Sequence, residues 1–281
     1  VTLTMFAVAA ASAATDEWIS LLRLSGKLKT QRFLDEQGNP VDMSKEAVEH
    51  RLIKSFVSPK STGVLELGAR YGTSSCAISH QVASMGTVVS LEADASLWSV
   101  TATNLRANNC TSTRLVKGVL GVARMRRSRR RNGSKWTTVF EQVRDVDGSD
   151  VEAVNAFTPQ ALQAKFNVQF DTMVVDCEGC FGAIIQAFPA FIRQLETVIL
   201  EADYGLGLQK LGYVNYTNVK AAMLQHGFTV AQEFLHPCCN RIPNRIPMFV
   251  FQKRQEALAI PLDFGPTKRP TTPHVRDINV S

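Results

Sequence analysis

The 281-residue chain lacks most of the signals that settle a function quickly. Its six cysteines (Cys76, Cys110, Cys177, Cys180, Cys238 and Cys239) are too few and too irregularly spaced to frame a small disulfide-rich fold, which leaves the redox compartment open. No apolar run reaches the roughly 20 residues of a membrane-spanning helix, so no transmembrane segment is expected. There is no Gly-x-Gly-x-x-Gly and no Gly-Lys-Ser/Thr, which counts against dinucleotides and nucleoside triphosphates as ligands. No internal repeat is visible. Nor does one sign of charge dominate. The formal charge is +6, but Arg124, Arg126, Arg127, Arg129, Arg130, Arg131 and Lys135 carry +7 in one stretch, leaving 6 − 7 = −1 elsewhere. A nucleic-acid groove spread over the fold is therefore not expected; a local basic loop is.

What the chain does have is a 45% hydrophobic content, enough to fill the core of one large α/β domain, and one organising stretch, Gly63 to Ser75. An apolar run, Gly63-Val64-Leu65-Glu66-Leu67, leads into Gly68-Ala69-Arg70-Tyr71-Gly72, and Thr73-Ser74-Ser75 opens an amphipathic segment through Cys76, Ala77, Ile78, Val82 and Ala83. This pattern predicts a buried strand, a tight loop and a helix start. Glycine lets a ligand approach bare backbone, and the free N–H groups of a helix start face its negative end. The loop should hold an anionic or zwitterionic ligand.

Three more predicted strands end in acids. Thr87–Glu92 is followed by a helix over 95–108, and Glu92, at the carboxyl end of the second strand of a βαβ unit, is placed to accept hydrogen bonds from ribose hydroxyls. Phe170–Asp176 runs into Cys177-Glu178-Gly179-Cys180, and Thr197–Glu201 follows a helix over 181–195 that Pro189 should kink. Glu66, Glu92, Asp176 and Glu201 would then line one edge of an open parallel sheet, the edge where ligands bind. Such crowding of like charge is costly unless something cationic or hydrogen-bond-donating sits among it. Cys177 and Cys180 are a Cys-x-x-Cys in form. A zinc site would need two more ligands, which His236, Cys238 and Cys239 supply only if their loop folds over the strand ends, so no metal is expected.

The remaining organisation is coarser. Residues 1–42 read as an N-terminal segment: the apolar run Thr4–Ala14 is either the remnant of a signal peptide or an Ala-rich helix, and 26–40 is a polar connector. The compartment follows from that choice, secretory for the remnant and cytoplasmic otherwise. Residues 43–254 form the main domain, opening with a helix over 44–57 capped by Ser44 with Val48, Leu52, Ile53 and Phe56 on its apolar face. Segments 114–123 and 136–143 form a hairpin-like excursion with an arginine-rich tip, either a solvated loop or a contact for a phosphate-, sulfate- or carboxylate-bearing partner. Residues 149–165 are helical in part and interrupted at Thr158-Pro159. A helix over 218–226 precedes the strands 228–234 and 248–252, which are too close for a crossover and should pair antiparallel at the sheet's end. Residues 255–281 are expected to be a disordered tail.

Taken together, Leu65-Glu66-Leu67-Gly68-Ala69-Arg70-Tyr71-Gly72-Thr73-Ser74, Leu91-Glu92-Ala93-Asp94 with Asn104 and Asn108, Val175-Asp176-Cys177-Glu178-Gly179, and Val198-Ile199-Leu200-Glu201 resemble the class I S-adenosylmethionine-dependent methyltransferases, and within them the FkbM family. The resemblance covers about residues 63–252. It implies a Rossmann-like fold: a mostly parallel seven-stranded sheet with an antiparallel final strand and helices on both faces. It also implies S-adenosyl-L-methionine as cofactor, bound by Glu66, Gly68, Ala69, Gly72, Thr73, Ser74, Glu92 and Asp176, with the glycine loop on the methionine part and Glu92 on the ribose. Asp176, Glu178 and Glu201 would stand near the acceptor as catalytic candidates, and the acceptor would be a hydroxyl of a small molecule or glycan. The chain departs from the family pattern at Glu66, where Asp is usual, at Arg70, where Asn is usual, and at Val174, where Lys is usual. The last two are consistent with an alternative, a methyltransferase-like binding module without catalysis.

Overall fold

Apolar runs buried on both faces dictate the centre of the molecule. In the computed structural model the described residues are 32–82, 85–122, 125–129, 138–142, 153–202, 215–235 and 246–254. The N-terminal apolar run, Arg124 and residues 130–135 of the basic stretch, the loop carrying His236, Cys238 and Cys239, and the expected tail lie outside them.

In chain order the elements are α1 (Met43–Phe56), β1 (Gly63–Leu67), α2 (Thr73–Gln81), β2 (Thr87–Glu92), α3 (Trp98–Ala107), β3 (Thr113–Lys117), β4 (Val119–Leu120), β5 (Met125–Arg129), β6 (Thr138–Gln142), β7 (Ala153–Val154), β8 (Ala156–Phe157), α4 (Pro159–Phe166), β9 (Thr172–Val175), α5 (Phe181–Ala187), α6 (Pro189–Gln194), β10 (Thr197–Glu201), α7 (Tyr216–Gln225), β11 (Phe228–Leu235) and β12 (Pro247–Lys253). Seven strands form the main sheet in the order β11-β12-β10-β9-β1-β2-β3. β10, β9, β1, β2 and β3 are parallel. The final strand, β12, runs antiparallel to both β10 and β11. This is the mostly parallel Rossmann-like sheet with an antiparallel final strand that the sequence predicts.

The pleat divides the core into two layers, because neighbouring side chains on a strand point to opposite faces. Leu65, Leu67, Met173, Val175, Val198 and Leu200 pack on one face against Leu162 of α4, Phe181 and Ile185 of α5, Ile192 of α6 and Met223 of α7. Val64, Val88, Val174, Ile199 and Val250 pack on the other against Leu52 and Ile53 of α1 and Ile78 of α2. Val174 is thus a core residue, 1% exposed. Each fully buried aliphatic side chain of this kind contributes about 1.5–3 kcal/mol.

Several local expectations shift. Asp42, not Ser44, caps α1, its carboxylate accepting from the Ser44 N–H. Thr158-Pro159 starts α4 rather than interrupting a helix: Thr158 accepts from the Ala161 N–H and Pro159, with no N–H to lose, takes the first turn. Pro189 does more than kink the following helix, which is broken at Phe188 into α5 and α6. The basic stretch enters the hairpin as strand β5, with Arg126 opposite Glu141 and Arg129 opposite Thr138, so Arg126, Arg127 and Arg129 lie along a strand rather than at a tip. Residues 32–40, read as a connector, are tied into the sheet unit: Phe33 is 2% exposed in a cluster with Leu105, Cys76 and Cys110. Among the described residues no helix is long and apolar enough to cross a membrane.

Candidate functional site

The register brings four residues to one level at the carboxyl edge of the sheet. Leu67 pairs with Leu91 and Val175, and Val175 pairs with Leu200, so Glu92, Gly68, Asp176 and Glu201 stand side by side as the next residues of β2, β1, β9 and β10. Glu66 is not in that row. It lies two residues inside β1, opposite Ser90 and Val174, and is 1% exposed. The expected row of four carboxylates is therefore a row of three with a fourth beneath it, because the glycine, not the acid, is the residue that exits β1.

That exit is tight. Gly68 has φ 92 and a Cβ there would lie 1.8 Å from the Asp176 carbonyl oxygen, so only glycine lets the two strand ends lie this close. The Gly68 and Ala69 N–H groups both donate to the Leu91 carbonyl at 3.0 Å. Arg70 follows at φ 43 and Gly72 at φ 80, and Gly72 then leads directly into α2. Neighbouring side chains fasten this backbone: the Thr101 hydroxyl donates to the Arg70 carbonyl, and Asn104 Nδ2 donates to the Tyr71 carbonyl at 2.9 Å. Asn104 also pairs both ways with Leu34, and Asn108 with Arg32. Tyr71 Oη donates to Glu36 at 2.8 Å. The segment 32–36 thus lies against the outer side of the loop.

Glu92 is 6% exposed and both its oxygens are engaged: Oε2 accepts from the Arg70 N–H and Oε1 from the Asp94 N–H, each at 2.6 Å. The carboxylate couples the β1 loop to the β2 exit, and each oxygen keeps a second lone pair for a ligand hydroxyl. Thr73 and Ser74 open α2, and both donate to acids that sequence reasoning did not select. Thr73 Oγ1 donates to Glu46 Oε2 at 3.3 Å and Ser74 Oγ to Glu49 Oε2 at 2.5 Å. Ser75 donates to Glu66 Oε2, while Glu66 Oε1 and the Ser90 hydroxyl are buried without a hydrogen-bond partner.

The site is electrostatically one-sided. Burial raises the carboxyls of Glu46, Glu92 and, most strongly, Glu49, and the Asp176 charge adds to each. Burial pushes Glu66 up to about 7 against the opposing Ser75 hydrogen bond. Glu178 is also pushed up to about 7, by burial first and Asp176 second. The Arg70 guanidinium opposes the rise at Glu46 and Glu178 and lies 4.9 Å over the Tyr71 ring. Beside Glu49, burial lowers His50 to about 4, so it is neutral near pH 7.

The turn after β9 is built differently. Glu178 adopts φ 52 and Gly179 φ 90, and Cys177 and Cys180 close a disulfide across it. A second disulfide, Cys76–Cys110, ties α2 to the entry of β3. Four of the six cysteines are therefore paired, a pairing that irregular spacing hid. Among the described residues no His, Cys, Asp and Glu cluster could hold a metal ion.

No protein-family model matches the chain, and no curated protein matches its sequence. Solved structures similar to it include a putative O-methyltransferase from Klebsiella pneumoniae, at 13% identity over 74% of this chain and 80% of that one with a TM-score of 0.44. Others are an O-methyltransferase from Bacillus cereus in complex with SAH (12% identity, 73% and 81% covered, TM-score 0.46) and a precorrin-6y C5,15-methyltransferase from Geobacter metallireducens (14%, 73% and 87%, 0.43). At this likeness no residue role is carried over from them.

Proposed function

We propose that the chain is an S-adenosylmethionine-dependent methyltransferase that methylates a hydroxyl of a small molecule or glycan. The observation that carries this reading is the glycine exit of β1 lying between Glu92 on β2 and Asp176 after β9, at one level of the sheet edge. The residues present fit the cofactor: Gly68 lets the exits of β1 and β9 lie together, Glu66 holds an orphaned buried acceptor, and the surrounding acids favour a cation. When bound, the cofactor supplies a methyl group on a positively charged sulfur, activated for direct displacement. Gly68, Ala69, Gly72, Thr73 and Ser74 would receive its amino-acid part, Glu92 its ribose hydroxyls, and Asp176 the region between donor and acceptor.

With the cofactor held by the β1 loop and Glu92, its methyl group would pass to the acceptor oxygen by direct displacement, the electron pair of the broken bond remaining with the cofactor. The acceptor's proton has to leave to a base. Glu178, held near 7 beside Asp176, is the residue best matched to that task at neutral pH, with Asp176 and Glu201 positioning the acceptor. Alignment of donor and nucleophile supplies most of the remaining catalysis. The FkbM pattern is the finer assignment that the motif residues support. The two disulfides favour an oxidising compartment, in keeping with the signal-peptide reading of the first residues.

Arg70 supports a second reading, a binding module without catalysis, because its guanidinium acts on Glu46 and Glu178 where a cationic ligand would. Calorimetry with S-adenosylhomocysteine tests the first reading: the full chain binds it, and Glu92→Ala weakens binding by about tenfold or more through the lost hydroxyl contacts. Folded protein that binds none overturns it. A screen for transfer of labelled methyl groups to extracts then separates the two readings, since binding without turnover on any acceptor selects the module.

A further inference from the structure

Helix α1 adds a second set of acids to the site from outside the sheet. It packs with Val174, Ile199 and Val250 of β9, β10 and β12 in a cluster that also takes in Val64 of β1 and Val88 of β2. Its first two turns meet the first turn of α2, where Glu46 and Glu49 accept from the Thr73 and Ser74 hydroxyls. Glu92 marks one end of the loop and this pair marks the other. Glu49 is 6% exposed, and a buried carboxylate of that kind persists only with donors or a cation to match it. The serine hydroxyl supplies a single donor. Beneath it Glu66, 1% exposed, keeps Oε1 without any donor, and the charges of Glu49, Glu66 and Asp176 act on one another.

Glu46, Glu49 and Glu66 accept from three successive hydroxyls, Thr73, Ser74 and Ser75, and acceptors brought together in this way call for a group with several N–H donors and a positive charge. A sulfonium has the charge but no hydrogen to donate, whereas a primary ammonium has three donors and the charge together. We infer that Glu46 and Glu49 of α1, above Glu66, receive the α-ammonium of the cofactor's amino-acid part and so set the specificity of the site for a ligand that carries one. This rests on the methyltransferase reading and assigns the ligand's polarity along the loop, ribose toward Glu92 and ammonium toward α1.

The test compares S-adenosylhomocysteine with 5′-methylthioadenosine, which has the same nucleoside and thioether but no amino-acid part, by calorimetry on the full chain. In Glu49→Gln, affinity for S-adenosylhomocysteine falls about tenfold or more while affinity for 5′-methylthioadenosine stays within about twofold of wild type. Retained 5′-methylthioadenosine binding also reports that the variant is folded. Glu46→Gln, at a partly exposed position, gives the same one-sided loss in smaller measure and serves if the buried substitution does not fold. Equal loss for both ligands, or loss for neither, overturns the inference and leaves the methyltransferase reading standing. If wild type binds neither ligand, that reading and the inference fall together.

Discussion

The turn from β1 into α2 is held by its neighbours, whereas the turn from β9 into α5 is held largely by itself. Around the first, the Leu91 carbonyl, the Glu92 carboxylate, the Thr101 hydroxyl and the Asn104 amide each fix a different backbone group between Gly68 and Tyr71. Around the second, the Cys177–Cys180 disulfide and the hydrogen bond from the Cys180 N–H to the Cys177 carbonyl close a four-residue ring, and Asp176 is tied to β1 through its N–H on the Leu67 carbonyl. The first arrangement fixes the candidate cofactor loop, whose geometry depends on the whole parallel sheet. The second presents two acids on a short loop whose shape is a local matter.

The sharpest way to break the first turn is Gly68→Val. A side chain at φ 92 is strained, and its Cβ would meet the Asp176 carbonyl at 1.8 Å, backbone that cannot swing aside. Because the clash separates the exits of β1 and β9, we expect a loss of several kcal/mol in urea unfolding together with loss of S-adenosylhomocysteine binding. A variant with wild-type midpoint and affinity would show that the closeness of the two strand ends is not required.

A smaller effect distinguishes the turns by pH. Glu66, inside β1, is pushed up to about 7 from an ordinary value of 4.5. A raised folded value means that its stabilising contribution is fully present below pH 4.5 and is lost as pH rises through 7, on the order of 3 kcal/mol in all. His50 works in the opposite sense. Lowered to about 4 from 6.5, it contributes above pH 6.5 and the contribution is lost as pH falls through 4. Stability should therefore peak at mildly acidic pH. Glu66→Gln should flatten the decline between pH 5 and 8, whereas Glu178→Gln, in the more exposed β9 turn, should flatten it less although Glu178 also sits near 7. Denaturant midpoints of the three proteins across that range decide the point, and an unchanged slope in Glu66→Gln would count against a buried, protonated Glu66.

The two turns also differ in how far the sequence discloses them. Glycines at four-residue spacing after an apolar run, and acids closing Thr87–Glu92 and Thr197–Glu201, were legible because strand burial and glycine's freedom leave direct marks in residue type. The partners that fasten the first turn were not. Glu49 falls at i−3 and i−4 to Leu52 and Ile53, so it rides the edge of the apolar stripe of α1, yet nothing local says that α2 will cover that edge with hydroxyls. Asn104 and Asn108 stood out as residue types, but their partners near residues 32–34 are about 70 positions away. Cys76 and Cys110 are similarly separated by 34 positions, and pairing across such a span depends on the packed α2 and α3 layer. Reading β5 as a tip failed for another reason: a run of arginines suppresses the alternation by which strands are recognised, while backbone pairing with β6 proceeds regardless.

The least disruptive change completes the comparison. Replacing Cys177 and Cys180 by serine removes a link that closes only three residues of separation, so the entropy it withdraws from the unfolded chain is small and stability should fall by at most about 2 kcal/mol. Reductant is the poorer tool, because it also opens Cys76–Cys110 beneath α2. In the double variant the β1 turn keeps every tie described above, and Asp176 keeps its bond to Leu67, so S-adenosylhomocysteine affinity should stay within about threefold, less than 1 kcal/mol. Glu178 loses the ring that holds it at φ 52, a left-handed conformation that a glutamate leaves when released. Turnover on an acceptor found in the labelled-methyl screen should therefore drop more than cofactor affinity does. If instead the affinity falls as far as in Glu92→Ala while turnover per bound cofactor holds, the β9 turn belongs to the cofactor side of the site, and the division between the two turns fails.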